Sequence, residues 1–240
     1  MKKSTKRIVA MIIVVLVVLF VAQYLFSYYK AVDVEEYLKS SDTVTVENRD
    51  YGLFFDGEGT ETLLIFYPGA KVEYTSYAPV LRTLCENGVD VALVKMPFNM
   101  AIFGISSADS VTEADNYSSV FVGGHSMGGA MAAKYAEITE KEIDGLIFFA
   151  AYTANDLKEK AIPVLSLYGE FDGVLTMSKV VEGRELVDSA KYEEVCIEGG
   201  NHAYFGSYGE QKDDGTATIT PQTQWDVTVA KVLSFIKSIA

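Results

Sequence analysis

A serine set between glycines, where an apolar strand meets an Ala-rich helix, restricts this chain more than any other feature. Val120-Phe121-Val122 leads through Gly123 into Gly124-His125-Ser126-Met127-Gly128, which fits G-x-S-x-G, and Met127–Ile138 follows with helical character. A strand that turns into a helix so sharply holds the serine in a strained conformation. The flanking positions then tolerate only the smallest residues against neighbouring backbone. The turn lifts the Ser126 hydroxyl clear of the sheet.

Around this turn, compact apolar runs alternate with segments of helical period. Thr43–Glu47 and Tyr51–Phe55, separated by the turn-prone Asn48-Arg49-Asp50, read as an opening hairpin after a short helix or stalk over Ala31–Ser41. Strands are then expected at Thr62–Tyr67, Val89–Lys95, Ser118–Val122, Ile143–Phe149, Ile162–Tyr168 and Tyr192–Ile197. Helices are expected at Tyr77–Glu86, near Met100–Ser107, at Met127–Ile138 and at Gln224–Ile239. Continuous apolar strands between helices indicate a mostly parallel sheet covered on both faces. The short stretch between Phe149 and Ile162 leaves no room for a large inserted lid.

The strand, the elbow and the helix resemble the α/β-hydrolase superfamily, and small single-domain members similar to dienelactone hydrolase and related carboxylesterases look closest. The resemblance covers essentially everything after the N-terminal segment. It implies a nucleophile, an acid and a histidine in that chain order, hence an acid after a late strand and a histidine after the last one. The chain has only two histidines. His125 adjoins the nucleophile in the strained turn and should point away from it. His202, in the glycine-rich Glu198-Gly199-Gly200-Asn201-His202 loop, is the base by elimination as well as by resemblance. The acid belongs in Gly169-Glu170-Phe171-Asp172-Gly173. Asp172 matches the family's pattern at that strand end, and Glu170 is the fallback. Its role is to hold the tautomer of His202 and to stabilise the imidazolium formed in proton transfer.

A tetrahedral intermediate needs hydrogen-bond donors. The first is the backbone N–H of Met127 at the start of the helix. The second belongs after Leu64-Ile65-Phe66-Tyr67, where Pro68-Gly69 stands in place of the His-Gly of many relatives; Ala70 is assigned, with Lys71 as its neighbour alternative. Tyr74 and Tyr204 are placed at the substrate, among further aromatics on the same loops (Tyr77, Phe98, Phe103, Tyr152, Phe205). Cys85 and Cys196 are expected on a helix end and in the last strand, too far apart to bridge. Asp213-Asp214-Gly215 lacks the later glutamate of a calcium loop and reads as a solvated turn. No nucleotide or metal motif is present, so no cofactor is implied.

Residues 1–29 form a separate unit ahead of a domain spanning 30–240. Lys2, Lys3, Lys6 and Arg7 precede an unbroken apolar run from Ile8 to Ala22, and Tyr24, Phe26, Tyr28 and Tyr29 close the segment. Extended to Phe26, the run is long enough as a helix to cross the ~30 Å hydrocarbon core of a bilayer. Basic residues hold the near end in the cytoplasm and aromatic rings favour the far headgroup region. The expectation is a single-pass anchor in the cell membrane with the domain outside. A cleaved signal peptide is the alternative, but the exit lacks a small-x-small site. With a formal charge of −13 overall, and about −17 once the four basic residues of this segment are set aside, the domain repels phosphate backbones and anionic headgroups. Nucleic acid is excluded as a partner, and adhesion of the folded part to lipid is disfavoured. The resemblance implies a serine hydrolase acting through an acyl-enzyme on esters or thioesters of small to medium size. Acyl transfer to a cell-surface acceptor, or binding without catalysis, are the alternatives.

Overall fold

In the computed structural model, which describes residues 3–239, period-two alternation sorts the strand side chains into two cores. The strands are β1 (Val44–Arg49), β2 (Gly52–Gly57), β3 (Thr62–Tyr67), β4 (Asp90–Val94), β5 (Ser119–His125), β6 (Gly145–Phe149), β7 (Val164–Gly169) and β8 (Tyr192–Ile197). In β3, Leu64 and Phe66 enter one core, whereas Leu63, Ile65 and Tyr67 enter the other. Both cores are closed, as a sheet sandwiched between two layers requires.

The eight strands form one sheet in the order β1-β2-β4-β3-β5-β6-β7-β8. β1 and β2 form the expected hairpin, β2 pairs antiparallel with β4, and every later pairing is parallel. The helices are α1 (Lys3–Phe26), α2 (Ala78–Cys85), α3 (Met127–Ile138), α4 (Met177–Arg184) and α5 (Pro221–Ile239). Leu81 and Leu84 of α2 join Val229, Val232 and Phe235 of α5 in one core. Ala132, Ala133 and Ala136 of α3 belong to the other. Turns alone connect β6 to β7.

The helix expected near Met100–Ser107 does not form. Residues 97–116 wind instead through four short 3-10 turns, with Phe98 and Asn99 in the left-handed region at φ 54° and 53°. The cause lies outside the segment: the buried Tyr67 hydroxyl donates to the Ile105 carbonyl at 2.6 Å and accepts from the Ala108 N–H at 2.8 Å. A phenol from β3 thus replaces the partners an α-helix would have supplied. Over Ala31–Ser41 only the 3-10 turn Glu35–Leu38 is helical, and α4 carries no periodicity strong enough to be read in advance.

Helix α1 is the one described helix long and apolar enough to cross a membrane. Residues Arg7–Phe26 have a mean hydropathy of 3.0 and none of this stretch is buried. Three residues past its end, Tyr29 pairs with Val72 in a parallel bridge.

Candidate active site

The carboxyl ends of the parallel strands converge on one cleft. At the end of β5 the backbone of Ser126 takes φ 53° and ψ −122°, a conformation a non-glycine residue adopts only when its surroundings impose it. The Ser126 N–H donates to the Phe149 carbonyl at 2.9 Å. A Cβ on Gly124 would stand 2.5 Å from the Tyr67 carbonyl oxygen, and one on Gly128 would stand 2.2 Å from the same atom. These glycines are what let the elbow press against β3. Ser126 is half-buried and its hydroxyl makes no hydrogen bond among the described residues.

His202 follows β8, and its Nδ1 lies 2.8 Å from Oδ2 of Asp172, in the turn after β7. An ionised carboxylate only accepts, so the proton of the neutral ring sits on Nδ1 and the lone pair on Nε2. That Nε2 is buried without a partner among the described residues, and His202 lines the same cleft of ≈ 330 Å³ as Ser126 and Met127. The other oxygen of Asp172 accepts the N–H groups of Val174 and Leu175 at 2.9 and 2.7 Å. Glu170, the fallback acid, instead accepts the Gly199 N–H at 2.9 Å. It pins the histidine loop rather than the ring. Although it sits in a glycine-rich loop, His202 is only 1% exposed.

His125 points away from Ser126, as expected, into a connection the sequence did not reveal. The Tyr77 hydroxyl accepts the Gly69 N–H at 3.0 Å and donates to His125 Nδ1 at 2.8 Å. The Pro68–Ala70 loop is thereby tied to the elbow. The His125 ring packs 4.5 Å from that of His202. Burial, then the nearby His202, holds its pKa well below the usual 6.5. It stays neutral and takes no share of the pairing with Asp172.

Of the two candidate amides in the loop after β3, that of Lys71 donates to the Asn99 carbonyl at 2.7 Å. The amides of Ala70 and Met127 have no acceptor among the described residues. Tyr74 and Tyr204 do not line the cleft. Tyr74 packs against the core beneath Lys95, and Tyr204 borders a separate pocket beside Asp214. Tyr152 does line the cleft, with Met131 and Leu175. A larger cavity of ≈ 390 Å³ lies at the opposite, amino-terminal edge of the sheet near Ser118 and Asp144, and neither histidine reaches it.

Asp214 corrects the reading of Asp213-Asp214 as a solvated turn. Its Oδ1 accepts the N–H groups of Gly173 and His202, and its Oδ2 accepts that of Ala203. Cys85 is buried and Cys196 exposed, both as free thiols. Among the described residues no group of three or more His, Cys, Asp or Glu is placed to hold a metal ion.

The fold finds counterparts in known structures. Est1E from Butyrivibrio proteoclasticus superposes with TM-score 0.58 at 15% identity, over 82% of this chain and 100% of its own. TT1662 from Thermus thermophilus gives TM-score 0.58 at 14% identity, over 80% of this chain and 98% of its own. Thermogutta terrifontis esterase 2, phosphoramylated by tabun, gives 0.57 at 11% identity, over 84% and 96%. At these identities the likeness is one of fold. No curated protein matches the chain in sequence. The profile described as the Alpha/beta hydrolase family matches residues 63–226, a span that holds the elbow, Asp172 and His202, and the chain belongs to that family.

Proposed function

We propose that this protein is a membrane-anchored serine hydrolase that cleaves carboxylic esters or thioesters through an acyl-enzyme. The carrying observation is the buried pair Asp172 Oδ2 and His202 Nδ1 at 2.8 Å, with Nε2 unpartnered in the cleft that Ser126 also lines. In this reading Ser126 Oγ attacks the carbonyl carbon while His202 Nε2 takes the hydroxyl proton. Asp172 stabilises the imidazolium. The N–H groups of Met127 and Ala70 receive the oxyanion. Collapse of the intermediate expels the alcohol or thiol, which takes the proton from His202. Water, deprotonated by the same ring, then releases the acid.

The esterase neighbours support the choice of ester chemistry. The tabun adduct of the Thermogutta protein recommends the probe. A fluorophosphonate should label the native chain and leave Ser126→Ala unlabelled, and an ester panel varied in acyl group and leaving group should be turned over only by the labelled protein. Labelling equal in both would remove Ser126 from the mechanism. Helix α1 serves as an uncleaved anchor with its basic end cytoplasmic and the domain outside. Fractionation should therefore find the full-length chain in membranes, and recovery of a soluble chain lacking residues 1–29 would overturn that part.

A further inference from the structure

We propose that the exposed apolar surface of Phe98, Ile102 and Phe103 lies in the membrane interface beside α1, so that the bilayer itself is the partner of this face of the domain. The proposal rests on reading α1 as the anchor and adds where the domain sits relative to it.

The tether between anchor and domain is short. α1 ends at Phe26, and Tyr29 is already fixed: its N–H donates to the Lys71 carbonyl at 2.7 Å, and its carbonyl accepts the Glu73 N–H at 2.9 Å. Three residues reach at most about 10 Å. Residues 71–73 are therefore held at the level where α1 leaves the bilayer.

Anchor and domain are also continuous in their contacts. The Lys71 N–H donates to the Asn99 carbonyl at 2.7 Å, which joins the 97–103 turns to the tethered segment. The ring of Phe98 meets Phe26, inside the spanning stretch, at 5.9 Å between centroids, and Phe103 meets Phe98 at 5.9 Å. An apolar surface thus runs unbroken from the anchor onto the domain.

In water this surface is costly. Phe98, Ile102 and Phe103 are 47%, 49% and 56% exposed, and Phe98 sits in left-handed backbone at φ 54°. Bulky residues rarely adopt that conformation. Strained backbone that holds a large ring outside the core is unexplained in water and explained by a lipid phase that receives it.

The chemistry of the rim agrees. Lys71 Nζ lies 3.7 Å from the centroid of the Tyr24 ring and donates to Ser27 Oγ at 2.9 Å. This is a cation and aromatic pairing of the kind that settles at headgroups. Glu73, the acid of this rim, is occupied by the Ala31 N–H at 3.0 Å. The net charge that disfavours adhesion to anionic lipid does not oppose apolar insertion into a zwitterionic one. Ala70 immediately precedes Lys71, so the loop assigned to the oxyanion would stand directly above the interface.

The test uses the full chain in phosphatidylcholine vesicles whose lipids are brominated near the glycerol end of the acyl chains. The single native tryptophan is removed by Trp225→Phe, and Phe20→Trp, Phe103→Trp or Ile138→Trp is introduced one at a time. Phe20 probes the anchor. Ile138, 51% exposed at the far end of α3, reports a domain surface away from the elbow. Phe103→Trp should lose at least half of its emission to brominated lipid, while Ile138→Trp should lose almost none. Quenching at residue 20 with residue 103 behaving as residue 138 overturns the proposal and leaves the anchor standing. No quenching at residue 20 overturns both. Should Trp225→Phe unfold the domain, the native tryptophan is retained and its own quenching subtracted.

Discussion

The carboxylate of Asp214 accepts the backbone N–H of His202 at 3.2 Å and that of Gly173 at 3.1 Å through one oxygen, and the N–H of Ala203 at 2.8 Å through the other. One side chain therefore fastens the backbone of the proposed base to the turn that carries Asp172. Asp214→Ala leaves these amides without an acceptor and should cost about 1–3 kcal/mol of stability, with kcat/KM falling at least about tenfold as the two loops loosen. Asp213→Asn, at an exposed neighbour whose left-handed backbone (φ 67°) asparagine tolerates, should do neither. Thermal melts and ester kinetics of the two variants side by side decide the matter: identical behaviour would remove the clamp.

Asp172→Asn should lower kcat by about 10⁴-fold at neutral pH while the fold survives. The reason is orientational. The N–H groups of Val174 and Leu175 both donate to Oδ1, which fixes the side-chain carbonyl of the replacement on that side and turns its amide toward the ring. His202 must then carry its proton on Nε2, where it cannot accept one from Ser126. Glu170→Gln, which leaves an oxygen for the Gly199 N–H, should change kcat less than about tenfold. Comparable losses in both variants would return the acid assignment to open ground.

Ser126→Ala and His202→Ala should part company in stability although both lose turnover, by at least about 10⁴-fold. Among the described residues the Ser126 hydroxyl makes no hydrogen bond, so its removal costs the fold little. His202 is buried against His125 and partners Asp172, so its removal strands a carboxylate oxygen and opens a void; about 2–4 kcal/mol should be lost. Differential scanning calorimetry reads the contrast, and matched melting temperatures would refute it.

The pH dependence of stability should carry a signature of His125. Its folded pKa lies well below the ordinary 6.5, through burial first and the nearby His202 second. Below pH ~6.5 the unfolded chain therefore binds a proton that the folded chain refuses. The contribution of this group is fully present above that pH and is lost as pH falls beneath it, by up to about 1.4 kcal/mol per pH unit. Urea titrations between pH 7.5 and 5 should show a steeper decline for the native chain than for His125→Gln. Parallel curves would contradict the assignment.

Legibility in the sequence followed the range of the forces involved. Elbow, strands and closing helix announce themselves because their apolar period and their glycines are local properties, and His202 could be found because it has a single rival. The helix expected near Met100–Ser107 gives way to turns because their backbone partner, the Tyr67 hydroxyl, sits in β3. Asp214 reads as a surface turn because, its neighbour Gly215 apart, the amides it holds belong to the loops after β7 and β8, and the Tyr77 to His125 bond is hidden for the same reason. Tyr74 and Tyr204 were placed at the substrate from loop position alone, and position does not say which way a ring turns.

The bracket around Asn201 has a consequence for synthesis. Gln224 of α5 accepts the N–H of Asn201 at 3.0 Å and donates to its carbonyl at 2.9 Å, just ahead of His202. A nascent chain thus acquires its hydroxyl elbow roughly a hundred residues before the helix that steadies its imidazole leaves the ribosome. Under the proposed mechanism, chemistry is the last property this polypeptide gains as it emerges, and a product that stops short of α5 should be inactive however well its early strands have paired.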